Sequence, residues 1–307
     1  MGSSKDTPSD AESGYASGSS SRQTLPQITF TKPQLKHINL QLSRMTPIEI
    51  LRWAKTTLPS LFQTTAFGLT GLVTIDLLSK LQAEDPESPA VPLIFFDTYH
   101  HFPETLDLVQ RIQARYPNIE LHTFAPAGLT SAADFEAKYG PKLWETDADL
   151  YDWVAKVELA ERAYADLNVA AVLTGRRRSQ GDKRTDLGVL EVDDAGLVKL
   201  NPLFNWSFAQ VQEYVKANDV PYNALLDQGY KSVGDWHSTQ PVAQGEDERA
   251  GRWKGQEKTE CGIHNKRSKY AMYLEEMDRK AAAEAAAAAA AVAVPAVSAP
   301  AVVAVEN

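Results

Sequence analysis

Between residues 46 and 218 this chain repeats one pattern, a short apolar run of strand length followed by a helical segment, and that pattern leaves few folds open. Leu61 to Phe67 reads as a strand and passes through Gly68-Leu69-Thr70-Gly71 into an apolar helix reaching Leu81. Val91 to Phe96 is a continuous apolar run ending in Asp97-Thr98, after which Pro103 opens a helix to about Tyr116. Ile119 to Phe124 is a third strand, and a helix over Tyr151 to Leu167 leads into a fourth, Val169 to Thr174. Leu197 to Leu200 gives a fifth, and Ser207 caps a helix to Asn218. Upstream, Thr46-Pro47-Ile48-Glu49 is a capping box that starts a helix to about Thr57. Strands this apolar must be covered on both faces, so the alternation predicts an α/β fold with a parallel sheet between helices. In such sheets ligands bind beyond the carboxyl ends of the strands. The polar motifs of this chain fall there.

Composition narrows the chemistry. The 307 residues are 43% hydrophobic and 23% charged, the balance of a soluble globular protein. A single cysteine excludes an internal disulfide, a Cys-rich zinc site and a four-Cys iron–sulfur cluster, and suits a reducing compartment, so a cytoplasmic protein without bound metal is expected. With a net charge of −9 the chain as a whole repels nucleic acid and anionic membranes, and any anion it binds must be held by a local basic cluster. Residues 1–25 are polar and Ser/Gly-rich, with no apolar signal-peptide core, and read as a disordered tail. Residues 281–307 are nearly all Ala and Val, interrupted by Pro295 and Pro300, and read as a fraying Ala-rich tail rather than a membrane span.

Four motifs carry candidate chemistry. Thr64-Thr65-Ala66-Phe67-Gly68-Leu69-Thr70-Gly71 joins a strand to a helix with hydroxyls and free N–H groups that suit an anion, although a tight turn needs glycines for steric reasons alone; it lacks the Gly-Lys-Ser/Thr of a Walker A loop. Asp97-Thr98-Tyr99-His100-His101-Phe102-Pro103 ends the second strand; its paired histidines have no matching third metal ligand nearby and also suit a polar turn. In Thr174 to Arg184, five cations (Arg176, Arg177, Arg178, Lys183 and Arg184) lie within nine residues. A charge run is usually a solvated face, but at a strand's carboxyl end guanidinium groups suit phosphate or sulfate oxygens. Finally, Gln228 to Lys269 has no periodicity and reads as a long irregular stretch, disordered or functional. It holds the lone Cys261, with six cations and two carboxylates between positions 252 and 269. A lone cysteine is usually a small buried hydrophobe, whereas charged neighbours favour a reactive thiolate.

The run Lys258 to His264 resembles the catalytic Glu-Cys-Gly-x-His motif of phosphoadenylylsulfate (PAPS) reductases, and other landmarks of that family appear in order ahead of it. They are TTAFGLTG, DTYHHFPET, YDWVAKVELAERA (Tyr151 to Ala163), TGRRRSQGDKR and DQGYKSVGDWHST (Asp227 to Thr239), so the resemblance covers about residues 45 to 270. It implies a Rossmann-like adenine-nucleotide α-hydrolase fold, with an α/β nucleotide-binding domain at 26–242 and a mobile redox-active Cys segment and following helix at 243–280. It implies reduction of PAPS to sulfite and adenosine 3′,5′-bisphosphate, with Cys261 as nucleophile and His264 beside it. Substrate would be held by Thr64, Thr65, Phe67, Gly68, Asp97, Thr98, Arg176, Arg177, Arg178, Arg184, His237 and Arg252. With one cysteine, an external dithiol must release the sulfite, so reduced thioredoxin or glutaredoxin is the expected donor. The resemblance also suggests a homodimer. Two positions depart from relatives: Ala66 stands where many carry Ser, and Tyr99 where some carry Gly. The alternatives are a cluster-free adenylylsulfate (APS) reductase, an adenylyltransferase of the ATP sulfurylase small-subunit or FAD synthetase type, and a non-catalytic nucleotide-binding protein. The last two do not need Cys261.

Overall fold

The computed structural model describes residues 28–181, 184–193, 195–243, 245–254 and 263. Six strands form one sheet: β1 (Leu61–Thr65), β2 (Leu93–Phe96), β3 (Leu121–Phe124), β4 (Ala171–Leu173), β5 (Leu190–Val192) and β6 (Val198–Leu200). Their order is β3-β2-β1-β4-β6-β5. Gln63 of β1 sits opposite Leu93 on one side and Leu173 on the other, and every pairing is parallel except β5 with β6. The all-parallel expectation therefore needs a correction at this edge. A three-residue strand is too short to show a period, and Asp193 turns it back within the few residues before β6. Its carboxylate accepts from Ala195 N at 2.9 Å and Leu197 N at 3.1 Å. The edge is covered by Asn39, whose side chain donates to Leu190 O at 2.8 Å and accepts from Leu190 N at 2.9 Å. That pairing replaces a missing neighbour strand.

The helices are α1 (Lys32–Leu42), α2 (Pro47–Thr57), α3 (Leu69–Glu84), α4 (Pro103–Arg115), α5 (Ala132–Tyr139), α6 (Leu143–Thr146), α7 (Ala148–Asp152), α8 (Glu158–Asp166) and α9 (Phe208–Ala217). The capping box at Thr46 forms as the sequence predicts, with Thr46 N donating to Glu49 Oε2 at 2.7 Å. The single helix expected over Tyr151 to Leu167 is instead α7, a π-helical turn over Trp153–Val157, and α8. Helix α3 is apolar around most of its circumference because it lies between the sheet and α2 and α9; Leu72, Val73 and Ile75 have no exposed surface. Burying each such side chain contributes roughly 1.5–3 kcal/mol. On the opposite face Ile94 and Phe96 pack against Leu159, Ala160 and Ala163 of α8. The sheet is thus covered on both faces.

From Gly229 to Lys254 the backbone is irregular, as its lack of period predicts, yet it is packed. Asp235, Ser238, Thr239 and Trp253 are buried, and isolated bridges join His101 to Asp235 and Thr239 to Arg252. The sequence-based boundary at 242 falls inside this packed stretch. Cys261, His264 and both predicted tails lie outside the described residues, as does the helix expected near 280.

Candidate active site

Strands β1 and β4 are neighbours, but the chain leaves β1 toward β2 and β3 before returning to β4 on the other side. A crevice opens at such a switch point, beyond the carboxyl ends of the strands. Here it is a cavity of about 910 Å³. A smaller cavity of about 490 Å³ opens at the opposite edge, around Leu58–Leu61 and Pro89–Pro92, where no sequence motif lies. The first loop enters the large cavity directly. Thr65 Oγ1 accepts from Phe67 N at 2.9 Å, Phe67 adopts a left-handed φ of 54°, and Gly68 then starts α3 with no side-chain cap. The loop after β4 comes close against it: a Cβ on Gly175 would meet Gly71 N and Thr70 Cβ, each at 3.4 Å. Both walls therefore present backbone to one space.

The basic run divides on folding. Arg176 lines the cavity and pairs with Glu191 at 2.6 Å. Arg184 lines it beside Gln180, which accepts from its guanidinium. Arg178 turns away, donating to Leu187 O at 2.8 Å and lying 4.8 Å from the Phe204 ring centroid. Arg177 is only 1% exposed. Its Nε donates to Thr70 Oγ1 at 2.9 Å, its Nη1 to Ser179 Oγ at 2.7 Å and Trp206 O at 3.1 Å, and its Nη2 to both Glu248 oxygens at 2.7 Å. A guanidinium has five N–H donors. Those of Arg177 are all engaged by the protein itself.

On the far wall, three landmarks converge on one carboxylate. Asp235 Oδ1 accepts from Thr98 Oγ1 at 2.7 Å; Oδ2 accepts from the Tyr151 hydroxyl at 3.1 Å and the Lys156 ammonium at 2.7 Å. His101 Nδ1 lies 4.0 Å from Oδ1 and His237 Nε2 lies 3.7 Å from Oδ2. Burial pushes the Asp235 carboxyl up, but the Lys156 ammonium, then His101 and His237, overcome it and hold the group well below the usual carboxylate range. Tyr151 is driven the other way, first by burial and then by Asp235, so its hydroxyl remains a donor. His237 stacks on Trp144 at 4.2 Å behind this centre and does not line the cavity. Asp97 does not line it either; its side chain accepts from Tyr99 N at 2.9 Å and shapes the turn.

Among the described residues eight lysine and arginine side chains line the cavity against four carboxylates, a local excess of positive charge in an acidic protein. The chain returns to this cavity at Ile263, which packs against the Ile94 and Phe96 cluster and lies between Cys261 and His264 in sequence. The model of the phosphoadenosine phosphosulfate reductase domain matches residues 60–241. The chain belongs to this family. It is 62% identical over 274 residues to the phosphoadenosine phosphosulfate reductase of Emericella nidulans, covering 89% of each chain. To the enzyme of that name from Saccharomyces cerevisiae it is 56% identical over 255 residues, covering 81% of this chain and 96% of the relative. A crystal structure of phosphoadenylyl-sulfate reductase from Candida auris, a phosphate complex, is similar with a TM-score of 0.64 and 51% identity, covering 70% of this chain and all of that one.

Of the residues that resemblance to the PAPS reductase family singles out, Thr64, Thr65, Phe67, Gly68, Thr98, Arg176, Arg177, Arg184 and Arg252 come together around one cavity. Lys156, Lys231, Asp235, Glu248 and Arg249 line the same space without having been singled out. Lys156 did leave a trace in the sequence. It sits with Asp152 and Ala160 at i−4 and i+4, on the stripe that also carries buried Ala155, Leu159 and Ala163. A lysine on an apolar stripe must find a buried partner. The π-helical turn that contains it is the kind of local insertion found at functional sites. Among the described residues no helix is long and apolar enough to cross a membrane, and no group of three or more His, Cys, Asp or Glu is placed to hold a metal ion.

Proposed function

We propose that this chain reduces 3′-phosphoadenylyl sulfate to sulfite and adenosine 3′,5′-bisphosphate in sulfate assimilation, as an oxidoreductase using reduced thioredoxin or glutaredoxin. The observation that carries this reading is a cation-lined cavity at the switch point of a PAPS reductase fold, to which the chain returns at Ile263, two residues from its only cysteine. In this reading Thr64, Thr65, Phe67, Gly68 and Thr98 face the nucleotide, and Arg176, Arg184, Lys231, Arg249 and Arg252 face its phosphate and sulfonate oxygens. Lys156, fixed by Asp235, offers a further desolvated cation. Preset positive charge of this kind stabilises a leaving phosphate as its negative charge grows.

The Cys261 thiolate attacks the sulfonate sulfur. A sulfur–sulfur bond forms, the bond from sulfur to the bridging oxygen breaks, and its electron pair leaves with adenosine 3′,5′-bisphosphate. A thiolate of the donor then attacks Cys261 Sγ, expelling sulfite and leaving a mixed disulfide. The donor's second thiol resolves that disulfide, restoring Cys261 and leaving the donor oxidised by two electrons. In this reading Cys261 meets first the bound substrate and then the thiol donor, in a cytoplasmic homodimer with no metal or cluster.

The test is sulfite release from PAPS with reduced thioredoxin. Cys261→Ser is expected to fold and to bind adenosine 3′,5′-bisphosphate while releasing no sulfite. Wild type given PAPS without reductant is expected to gain one sulfonate mass on the peptide containing Cys261. Sulfite release by the serine variant would overturn the mechanism. Equal kcat/KM for adenylyl sulfate would overturn the choice of substrate.

A further inference from the structure

Arg252 reaches the cavity from a segment with no regular secondary structure, so its direction must be set by something other than a helix or strand. Its backbone is fixed by a short antiparallel pairing: Arg252 bridges to Thr239, Gln240 N donates to Gly251 O at 2.9 Å, and Trp253 N donates to Ser238 O at 2.9 Å. Trp253 then takes a left-handed φ of 52°, and its buried ring lies 4.5 Å from the Arg252 guanidinium carbon. Gly234 lies against the same guanidinium. The three heavy atoms nearest to a Cβ built there all belong to the Arg252 guanidinium, with Nη1 at 2.8 Å and the other two closer. Nη1 also donates to Val233 O at 3.2 Å. The φ of Gly234 is not positive, so its backbone does not itself require glycine. What requires glycine is the space taken by a guanidinium.

From this we infer that Gly234 is a positioning residue: by lacking a side chain it forms, with the Trp253 ring, a slot that holds the Arg252 guanidinium flat and turned into the cavity. The slot sits next to Asp235 in sequence, so the centre that holds Lys156 also fixes the wall that seats Arg252. A planar cation seated against an aromatic face has its direction fixed before an anion arrives. The role in turnover rests on the reading proposed above; the slot itself does not.

Gly234→Ala tests it, because the three atoms nearest to a methyl there all belong to the movable end of one side chain. The variant is expected to keep its Tm within about 2 °C of wild type. Arg252 is expected to react with phenylglyoxal at least three-fold faster than in wild type, read by peptide mass mapping, because its guanidinium has left the slot. For sulfite release, kcat/KM is expected to fall at least ten-fold, to within three-fold of Arg252→Ala, and Gly234→Ala is expected to add nothing in the Arg252→Ala background. Unchanged Arg252 reactivity in Gly234→Ala would overturn the slot. A loss that adds to that of Arg252→Ala, or one accompanied by a large fall in Tm, would overturn the positioning role. If wild type released no sulfite from PAPS while the reactivity change appeared, the functional reading would fail and the slot would stand.

Discussion

The two walls of the cavity are built by different means. The wall made of residues 64–71 and 174–181 hangs on β1 and β4, so its loops start where a ladder of backbone hydrogen bonds ends, and Gly71 and Gly175 let them close on each other. The wall made of residues 229–254 has only isolated bridges and short 3₁₀ turns, and buried charge holds it in place: Asp235 with Lys156, and Glu248 with Arg177. A strand-borne loop loses little when one side chain changes. A wall held by two ion pairs depends on each of them, because removing one partner leaves the other charged and dry.

The sharpest way to break that contrast is Asp235→Asn. It keeps the shape and removes the charge closest to the Lys156 ammonium, which is 7% exposed and also lies 3.5 Å from Asp152. The expected cost is ~3–5 kcal/mol in chemical unfolding, with sulfite release falling alongside. Because the folded-state pKa of Asp235 is depressed, the stability it contributes is fully present above the unfolded carboxylate's pKa of ~3.9 and is lost as pH falls below it. The gap between wild type and variant should therefore shrink by about 1.4 kcal/mol per pH unit below pH ~3.9. A gap that does not narrow there would mean that Asp235 is not held ionised by its neighbours.

A smaller effect is expected where the walls meet. Glu248→Gln keeps one acceptor for Arg177 and should cost about 1.5–3 kcal/mol, the range for hydrogen bonds to a charged group. Arg177→Ala bears on chemistry as well. The sequence alone puts Arg177 among the residues that grip substrate oxygens, but its donors are already taken by Thr70, Ser179, Trp206 and Glu248. It is therefore expected to lower kcat/KM for PAPS and for APS by the same factor, because it braces the two walls without touching the extra phosphate. A loss confined to PAPS would show that substrate displaces Glu248 from Arg177, and the brace would then be a binding residue after all.

These two pairs also mark where sequence reading stops. The strands, Pro103 at the start of α4, the capping box at Thr46 and the motifs at strand ends were legible because each is a local signal within a few residues. Strand β5 was not, since Leu190–Val192 is too short for a period and owes its place to Asn39, 151 residues away in sequence. The charged wall was legible as motifs but not as contacts: Arg177 and Glu248 are 71 residues apart, and Thr98 and Asp235 are 137 apart. Lys156 apart, whose apolar stripe marks it, nothing in a single chain says which aspartate or arginine will be dry. Arg178 and Arg177 are adjacent and chemically identical in sequence, yet one packs on Phe204 away from the cavity and the other is sealed between its walls.

The smallest expected effect lies at Tyr99, on the turn after β2 that carries Thr98 to Asp235. Its φ is 62°, a left-handed conformation that favours glycine, and this is a position where the sequence comparison with the family already noted Tyr in place of Gly. For a non-glycine residue that conformation costs roughly 1–2 kcal/mol. Two contacts offset it: Tyr99 N donates to Asp97 Oδ1 at 2.9 Å, and the hydroxyl donates to Leu129 O at 2.7 Å. Tyr99→Gly keeps the backbone contact and relieves the strain, but loses the hydroxyl contact worth about 0.5–1.5 kcal/mol and the packing of a half-buried ring, at a further entropic cost. The relief offsets part of the loss, so the expected destabilisation is about 1–2 kcal/mol. Tyr99→Phe separates the contributions, since it retains the ring and the strained φ and removes only the hydroxyl. It is therefore expected to be less stable than wild type by about 0.5–1.5 kcal/mol. Neither variant should shift kcat/KM more than about three-fold, because Thr98 is held independently by Asp235. A Tyr99→Gly variant destabilised as much as Asp235→Asn would show that the strand-borne side of the site also leans on a single side chain, and the contrast between the two walls would fail.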